Sequence, residues 1–281
     1  MSLPITAIMY DFDKTLSPKD MQEYAFIPEV GLSAEDFWKR CDELTEKHSM
    51  DPILSYMLCM VKEAEGKMLI TRNEFKKCGE QVELFDGVED WFERINEYGR
   101  KAGTQVEHYI ISSGLKEIIE GTKIAKYFKE IYAAEFCYND RNVPFWPSMA
   151  VNYTSKTQFV FRVNKGILDK TDHKTLNSYT PDELRRVPFS NMIYIGDGLT
   201  DVPCMKLVKV SGGHSIAVYG EGRQLLAEDM LKQGRVNFTA KADYRKASRM
   251  EEIVCSVIDK IVAENKVVQL ELEDKPSIIT K

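Results

Sequence analysis

Ile5-Thr6-Ala7-Ile8-Met9-Tyr10 running into Asp11-Phe12-Asp13-Lys14-Thr15 is the stretch on which the fold turns. Its first six residues make a short, mostly apolar run, the composition of a strand buried on both faces of a parallel sheet. The two acids follow at its end, two positions apart, so both side chains can converge on the loop beyond the sheet edge. Paired carboxylates in that place are unfavourable without a cation. Mg²⁺ suits them, because it takes hard oxygen ligands from one or two carboxylates and completes its shell with water and substrate oxygens.

Working outward, three later runs have the same character: Tyr109-Ile110-Ile111 before Ser112, Met192-Ile193-Tyr194-Ile195 before Gly196-Asp197, and Ser215-Ile216-Ala217-Val218 before Tyr219-Gly220. Helical stripes separate them. Val88, Trp91, Phe92, Ile95 and Tyr98 recur at three- and four-residue spacing, and Leu115, Ile118 and Ile119 open another stripe. Thr180-Pro181-Asp182-Glu183 carries a cap residue, a proline at the first helical position and a glutamate three after the cap, which predicts a further helix before the Met192 strand. This alternation predicts an α/β fold: a doubly wound, mostly parallel sheet with helices on both faces.

Residues 17–84 break the alternation, since every periodic stretch there reads as helix. Ser33 and Asp36 open one helix carrying Phe37, Trp38, Cys41 and Leu44. Residues 53–61 form a second that stops near Gly66, and Thr71 with Glu74 caps a third. The economical division is a core of residues 1–16 and 85–281 with a small helical cap, 17–84, inserted. The plainer alternative is that these helices belong to the main core, which their apolar faces alone do not decide.

Composition excludes several classes. Among 281 residues, 38 Lys+Arg and 44 Asp+Glu give a formal charge of −6, with acids and bases interleaved. No basic stripe is available for a nucleic-acid backbone, and an anionic substrate would need local cations. No run approaches membrane-spanning length, and Met1-Ser2-Leu3-Pro4 lacks the basic flank of a signal peptide. Cys41, Cys59, Cys78, Cys137, Cys204 and Cys255 are scattered without Cys-x-x-Cys spacing, which reads as reduced thiols in a cytoplasmic protein. The four histidines show no ligand spacing. Phe136-Cys137-Tyr138 and Val143-Pro144-Phe145-Trp146-Pro147 read as loop aromatics pinned to the core, with substrate contact as the alternative.

A second acidic cluster, Gly196-Asp197-Gly198-Leu199-Thr200-Asp201, follows another strand end, where glycine permits the tight turn that presents Asp197. Taken singly, Asp-Gly is a common turn, Ser112 an ordinary strand-end hydroxyl, Asp201 a helix cap and Thr15 a turn residue. Their joint order is more informative. Asp11, Asp13 and Thr15, then Ser112 in Ile111-Ser112-Ser113-Gly114, a lysine, and Asp197 with Asp201 resemble the haloacid dehalogenase superfamily, nearest its phosphoserine-phosphatase-like branch. For the lysine, Lys156 at the start of a predicted helix is preferred over Lys165 near that helix's end. Ile-Ser-Ser-Gly departs from the Ser-Gly-Gly of many members of that branch, which puts phosphoserine as substrate in doubt.

The resemblance implies a Mg²⁺-dependent phosphatase acting on a small-molecule phosphate monoester through an aspartyl phosphate. Asp11 is then the nucleophile and Asp13 the general acid and base. Ser112, Ser113, Gly114 and Lys156 bind the phosphoryl group, Asp11, Asp13 (through its carbonyl) and Asp197 hold the metal, and Thr15 and Asp201 support them. Two rivals keep nearly the same residues: a phosphomutase of the same superfamily, and a metal-binding regulatory module without catalysis. Oligomeric state and the identity of the ester are not legible.

Overall fold

The computed structural model describes residues 3–274. Seven strands form one sheet: β1 (Ile5–Tyr10), β2 (Gln105–Leu115), β3 (Phe128–Tyr138), β4 (Pro144–Met149), β5 (Met192–Gly196), β6 (His214–Tyr219) and β7 (Phe238–Lys241). Their spatial order is β4-β3-β2-β1-β5-β6-β7, every neighbouring pair being parallel except β3 with β4. The chain winds outward from β1 to one side through β2 and β3, then returns to β5 on the other side. The crevice beyond the carboxyl ends of β1 and β5 is therefore a topological switch point, where open α/β sheets bind ligands.

The helices are α1 (Phe26–Glu29), α2 (Ala34–His48), α3 (Pro52–Ala64), α4 (Arg72–Glu80), α5 (Val88–Ala102), α6 (Lys116–Glu120), α7 (Lys156–Lys165), α8 (His173–Asn177), α9 (Val202–Val210), α10 (Gln224–Lys232) and α11 (Arg249–Asp274). Alternation along β1 sends Ile8 and Tyr10 to one face, with Trp91 and Ile95 of α5 and Ile258 of α11. Ala7 and Met9 go to the other, with Phe159 of α7 and Met205 of α9. Both faces are buried, which is why β1 carries no polar alternation.

Within residues 17–84 the described elements are helical, and the caps read from sequence are in place: Ser33 and Thr71 accept from backbone N–H groups at the starts of α2 and α4, and Asp51, not read as a cap, does the same for α3. Their apolar side chains join the cluster on the β1–α5 face without a break, with Phe75 of α4 stacked on Phe136 of β3 at 5.9 Å.

Two expectations need correction, and three strands went unread. Residues 180–183 do not start an α-helix; only a single 3₁₀ turn forms, Asp182–Leu184, with Arg185 already extended. Pro188 lies too close downstream and keeps the chain before it extended. Arg186 then reaches away to the buried Glu107. Strands β3, β4 and β7 carry no run of the kind that marked the other four. Phe145 and Trp146 are not packed inward: they sit on the edge strand β4, beyond which no further strand lies among the described residues, and are 62% and 68% exposed. The six cysteines are free, and no helix among the described residues is long and apolar enough to cross a membrane.

Two buried polar groups on β2 make stability pH-dependent. His108 accepts or donates at Tyr10 Oη and Asn96 Oδ1, both 3.1 Å away, and burial pushes its pKa down to about 3. Burial opposes the charge of Glu107, but hydrogen bonds from Arg186, Lys129 and Tyr109 outweigh it and hold the carboxyl down at about 2. Both folded-state values lie below the ordinary ones. Their stabilisation is therefore complete above the unfolded pKa and is lost as pH falls, from near 6.5 for His108 and from near 4.5 for Glu107. Replacing Glu107 with Gln should remove about 3 kcal/mol at pH 7 and less and less of it between pH 4.5 and 2. Urea unfolding of both proteins across pH 7 to 3 reads this. A pH-independent difference between them would sink the assignment.

Candidate active site

Asp11 leaves the end of β1, its backbone N–H bonded to Ile195 O at 2.9 Å on β5. The next turn is tight: Phe12 O accepts from the N–H groups of Thr15, Leu16 and Ser17, and Lys14 takes a left-handed conformation at φ 57°. This geometry turns Asp11 and Asp13 to different partners. Asp13 Oδ1 accepts from Met21 N at 2.8 Å, while Asp11 faces the ends of β5 and α7. Thr15 is buried in the turn, its carbonyl accepting from Tyr244 Oη at 2.9 Å.

Lys156 is the first residue of α7 and is fully buried. Its ammonium lies 3.1 Å from Asp11 Oδ1 and 2.8 Å from Asp201 Oδ1, and Tyr194 Oη also donates to Asp201 Oδ1 at 2.9 Å. Lys165, by contrast, spends its ammonium on the carbonyls of Leu176 and Ser178, both at 2.7 Å. Gly196 lets Asp201 approach: a Cβ there would stand 2.6 Å from Asp201 Cγ. Asp197 is paired with Arg223 from the loop after β6.

On the β2 side, Ser112 Oγ accepts from Gly114 N at 3.0 Å and Ser113 O accepts from Tyr56 Oη of α3 at 2.8 Å. Gly114 has no room for a side chain, since a Cβ would meet Met21 Cε at 2.1 Å and Asp13 Oδ2 at 2.9 Å. Asp13, Ser113 and Gly114 together form one wall of a cavity of 200 Å³ that opens under α2 and α3.

The electrostatics of this site favour a cation. Carboxylate oxygens of Asp11, Asp197 and Asp201 lie within 4.8 Å of one another, all buried. Burial and the Asp201 charge push Asp11 up to about 7 in spite of Lys156, and burial with Asp201 pushes Asp197 up to about 6 in spite of Arg223. Burial with the charges of Asp20 and Asp11 raises Asp13 well above the carboxylate range. Burial alone would lower Lys156, yet Asp11 and Asp201 outweigh it and raise it. Asp11 Oδ1 is buried and has no aligned hydrogen-bond donor. Clustered hard oxygen donors are what Mg²⁺ takes, so the residues fit that ion.

The sequence profile of the haloacid dehalogenase-like hydrolases matches residues 8–206, which run from inside β1 to the first half of α9. The chain belongs to this hydrolase family. An uncharacterized protein of Borreliella burgdorferi is 30% identical over 287 residues, covering 90% of this chain and 98% of that protein. The fold is also similar to a substrate-bound phosphoserine phosphatase complex, with TM-score 0.56 and 13% identity over 89% of this chain and 96% of that one. It is similar to a family hydrolase of Salmonella enterica serovar Typhi as well, with TM-score 0.53 and 17% identity; 81% of this chain is covered, and it spans 66% of that protein's length.

Reading the sequence missed several residues that touch this site. Tyr194 looks like one more strand residue, and only its position three before Asp197 hints at the crevice. Arg223 follows Gly220-Glu221-Gly222 just beyond β6, a strand end where a cation facing an acidic cluster is reasonable to expect. Tyr56 and Met21 reach the site from the helical segment, and no local pattern distinguishes them from core residues.

Proposed function

We propose that this hydrolase cleaves the phosphate monoester of a small molecule in two steps, with Asp11 as nucleophile and Asp13 as general acid and base. The observation that carries the proposal is Asp11 itself: a buried carboxylate 3.1 Å from the Lys156 ammonium and clustered with two further carboxylates. Asp11 attacks phosphorus while the ester P–O bond breaks, and Asp13 gives its proton to the departing oxygen. Water then attacks the aspartyl phosphate, loses a proton to Asp13, and the bond between phosphorus and the Asp11 oxygen breaks to release phosphate.

Asp13 suits the first role because burial and its neighbours favour its protonated form. Lys156 balances charge on the transferring phosphoryl oxygens, and Asp201 with Tyr194 fixes the lysine's position. Ser112 Oγ and the backbone N–H of Ser113 offer hydrogen bonds to the same oxygens, joined by the Gly114 N–H once it exchanges its bond to Ser112 Oγ for one to the phosphoryl group. Asp11, the Asp13 carbonyl and Asp197 are the residues we assign to Mg²⁺, with Asp201 beside them. When bound, the ion would screen nucleophile from phosphate and stabilise charge developing in transfer. Residues 17–84 act as the cap over this crevice, and Thr15 holds the turn after the nucleophile.

The reading is supported by family membership and by the fold shared with a phosphoserine phosphatase. Its test is release of inorganic phosphate from para-nitrophenyl phosphate and a panel of small monoesters, with Mg²⁺ and with EDTA. Turnover that falls by about 10³-fold or more in EDTA and returns with added Mg²⁺ is expected. Equal rates in both conditions would remove the metal from the reading, and no release from any ester would remove the phosphatase.

A further inference from the structure

The 200 Å³ cavity beyond Asp13 is small, below the roughly 300 Å³ at which pockets for drug-sized ligands begin. Its walls carry Asp20, Gln22, Trp38, Asp42 and Tyr56, and no lysine, arginine or histidine among the described residues lines it. The indole and phenol donors on these walls are already used. Trp38 Nε1 donates to Glu23 Oε1 at 3.0 Å and Tyr56 Oη to Ser113 O at 2.8 Å. Apart from the Ser113 hydroxyl beside Asp13, which has no partner, the side-chain oxygens left over are acceptors. Gln22 is 2% exposed, yet its Oε1 has no hydrogen-bond partner, an unfavourable state unless a ligand donor reaches it. Asp42 has no ion pair among the described residues, and Lys14 takes only one oxygen of Asp20, at 2.6 Å. Trp38 and Tyr56 meet edge to face at 6.3 Å, offering aromatic surface of the kind that attracts cations.

We propose that this cavity selects an alcohol leaving group that carries a protonated amine, so that the substrate is the phosphate ester of a small amino alcohol. The proposal rests on the phosphatase reading above. The ammonium donates to Gln22 Oε1 and to the free carboxylate oxygens of Asp20 and Asp42, beside the rings of Trp38 and Tyr56. The ester oxygen then faces Asp13, which lines the same cavity. A leaving group bearing a carboxylate meets two acids, one of them already paired with Lys14, and no cation on the cavity wall among the described residues, so phosphoserine is a poor substrate despite the shared fold.

The test compares kcat/KM for 2-aminoethyl phosphate with propyl phosphate, which puts a methyl where the ammonium was. Glycerol 1-phosphate and phosphoserine complete the set, and para-nitrophenyl phosphate monitors the chemistry. The amine is expected to exceed its neutral isostere by about 30-fold, and to exceed the other two esters. Asp42 is an exposed helix residue, so Asp42→Asn should fold normally; it should narrow the amine-to-propyl ratio at least about fivefold, and Asp42→Lys should narrow it further. If para-nitrophenyl phosphate is hydrolysed but propyl phosphate, glycerol 1-phosphate or phosphoserine matches the amine, the cavity assignment is overturned and the phosphatase stands. If no ester is hydrolysed, both fall together.

Discussion

Asp11→Asn should lower phosphate release by about 10⁴-fold or more while leaving the protein folded. Asparagine keeps the shape of the side chain and removes its charge, so the loss would report nucleophilicity. Folding should tolerate the change. Asp11 lies in a buried cluster with Asp197 and Asp201, where burial and like charge already disfavour its ionised form, and Lys156 keeps Asp201 as a partner at 2.8 Å. Stability by urea unfolding should therefore match or exceed that of the parent. Acid quenching during turnover of a radiolabelled ester should trap phosphate on the parent protein and none on the variant. A variant that retained a tenth of the rate, or that still trapped label, would move the nucleophile elsewhere.

How much of this was legible beforehand depended on where each residue's partner lies in the chain. β1, β2, β5 and β6 are central and buried on both faces, so their apolar runs were visible without context. β4 holds Pro144 and Pro147 and lies at the sheet edge, where strand composition is relaxed. β3 mixes Lys129, Glu130 and Glu135 with apolar residues, because its charged side chains pair with Glu107, Lys116 and Lys170 from elsewhere in the chain. No local pattern could announce those partners. The same distinction separates the site residues. Asp11, Asp13, Asp197 and Asp201 stand at strand ends and were readable in order. Which acids share a cluster was not, because the turn centred on Phe12 O sends Asp13 toward Met21 and away from Asp197.

Those contacts also link the helical segment to the chemistry. Met21 uses its N–H on Asp13 and its sulfur on Leu115 N at 3.2 Å, while Tyr56 holds Ser113 O. Asp13 and the backbone offered for phosphoryl binding are thus fixed by residues 17–84 as much as by the sheet. On the reading proposed above, a phosphate ester would have to fit beneath α2 and α3, and the composition of that cavity would then bear on which alcohol leaves.

Lys156→Met carries the second large expectation, and it separates structure from catalysis. The ammonium is fully buried between Asp11 at 3.1 Å and Asp201 at 2.8 Å, so its removal leaves two buried carboxylates without their cation. Breaking a buried pair in this way typically costs about 3–5 kcal/mol. Activity should fall by about 10²–10³-fold as charge balance at the phosphoryl oxygens is lost. If the cluster's negative charge is the reason, relieving it should restore stability. Lys156→Met combined with Asp201→Asn should recover at least half of the loss while remaining inactive, and saturating Mg²⁺ should raise the single variant's unfolding midpoint in urea more than it raises the parent's. A single variant as stable as the parent would show that Lys156 does not hold this cluster together. A double variant no more stable than the single one would mean that lost packing, and not uncompensated charge, accounts for the destabilisation.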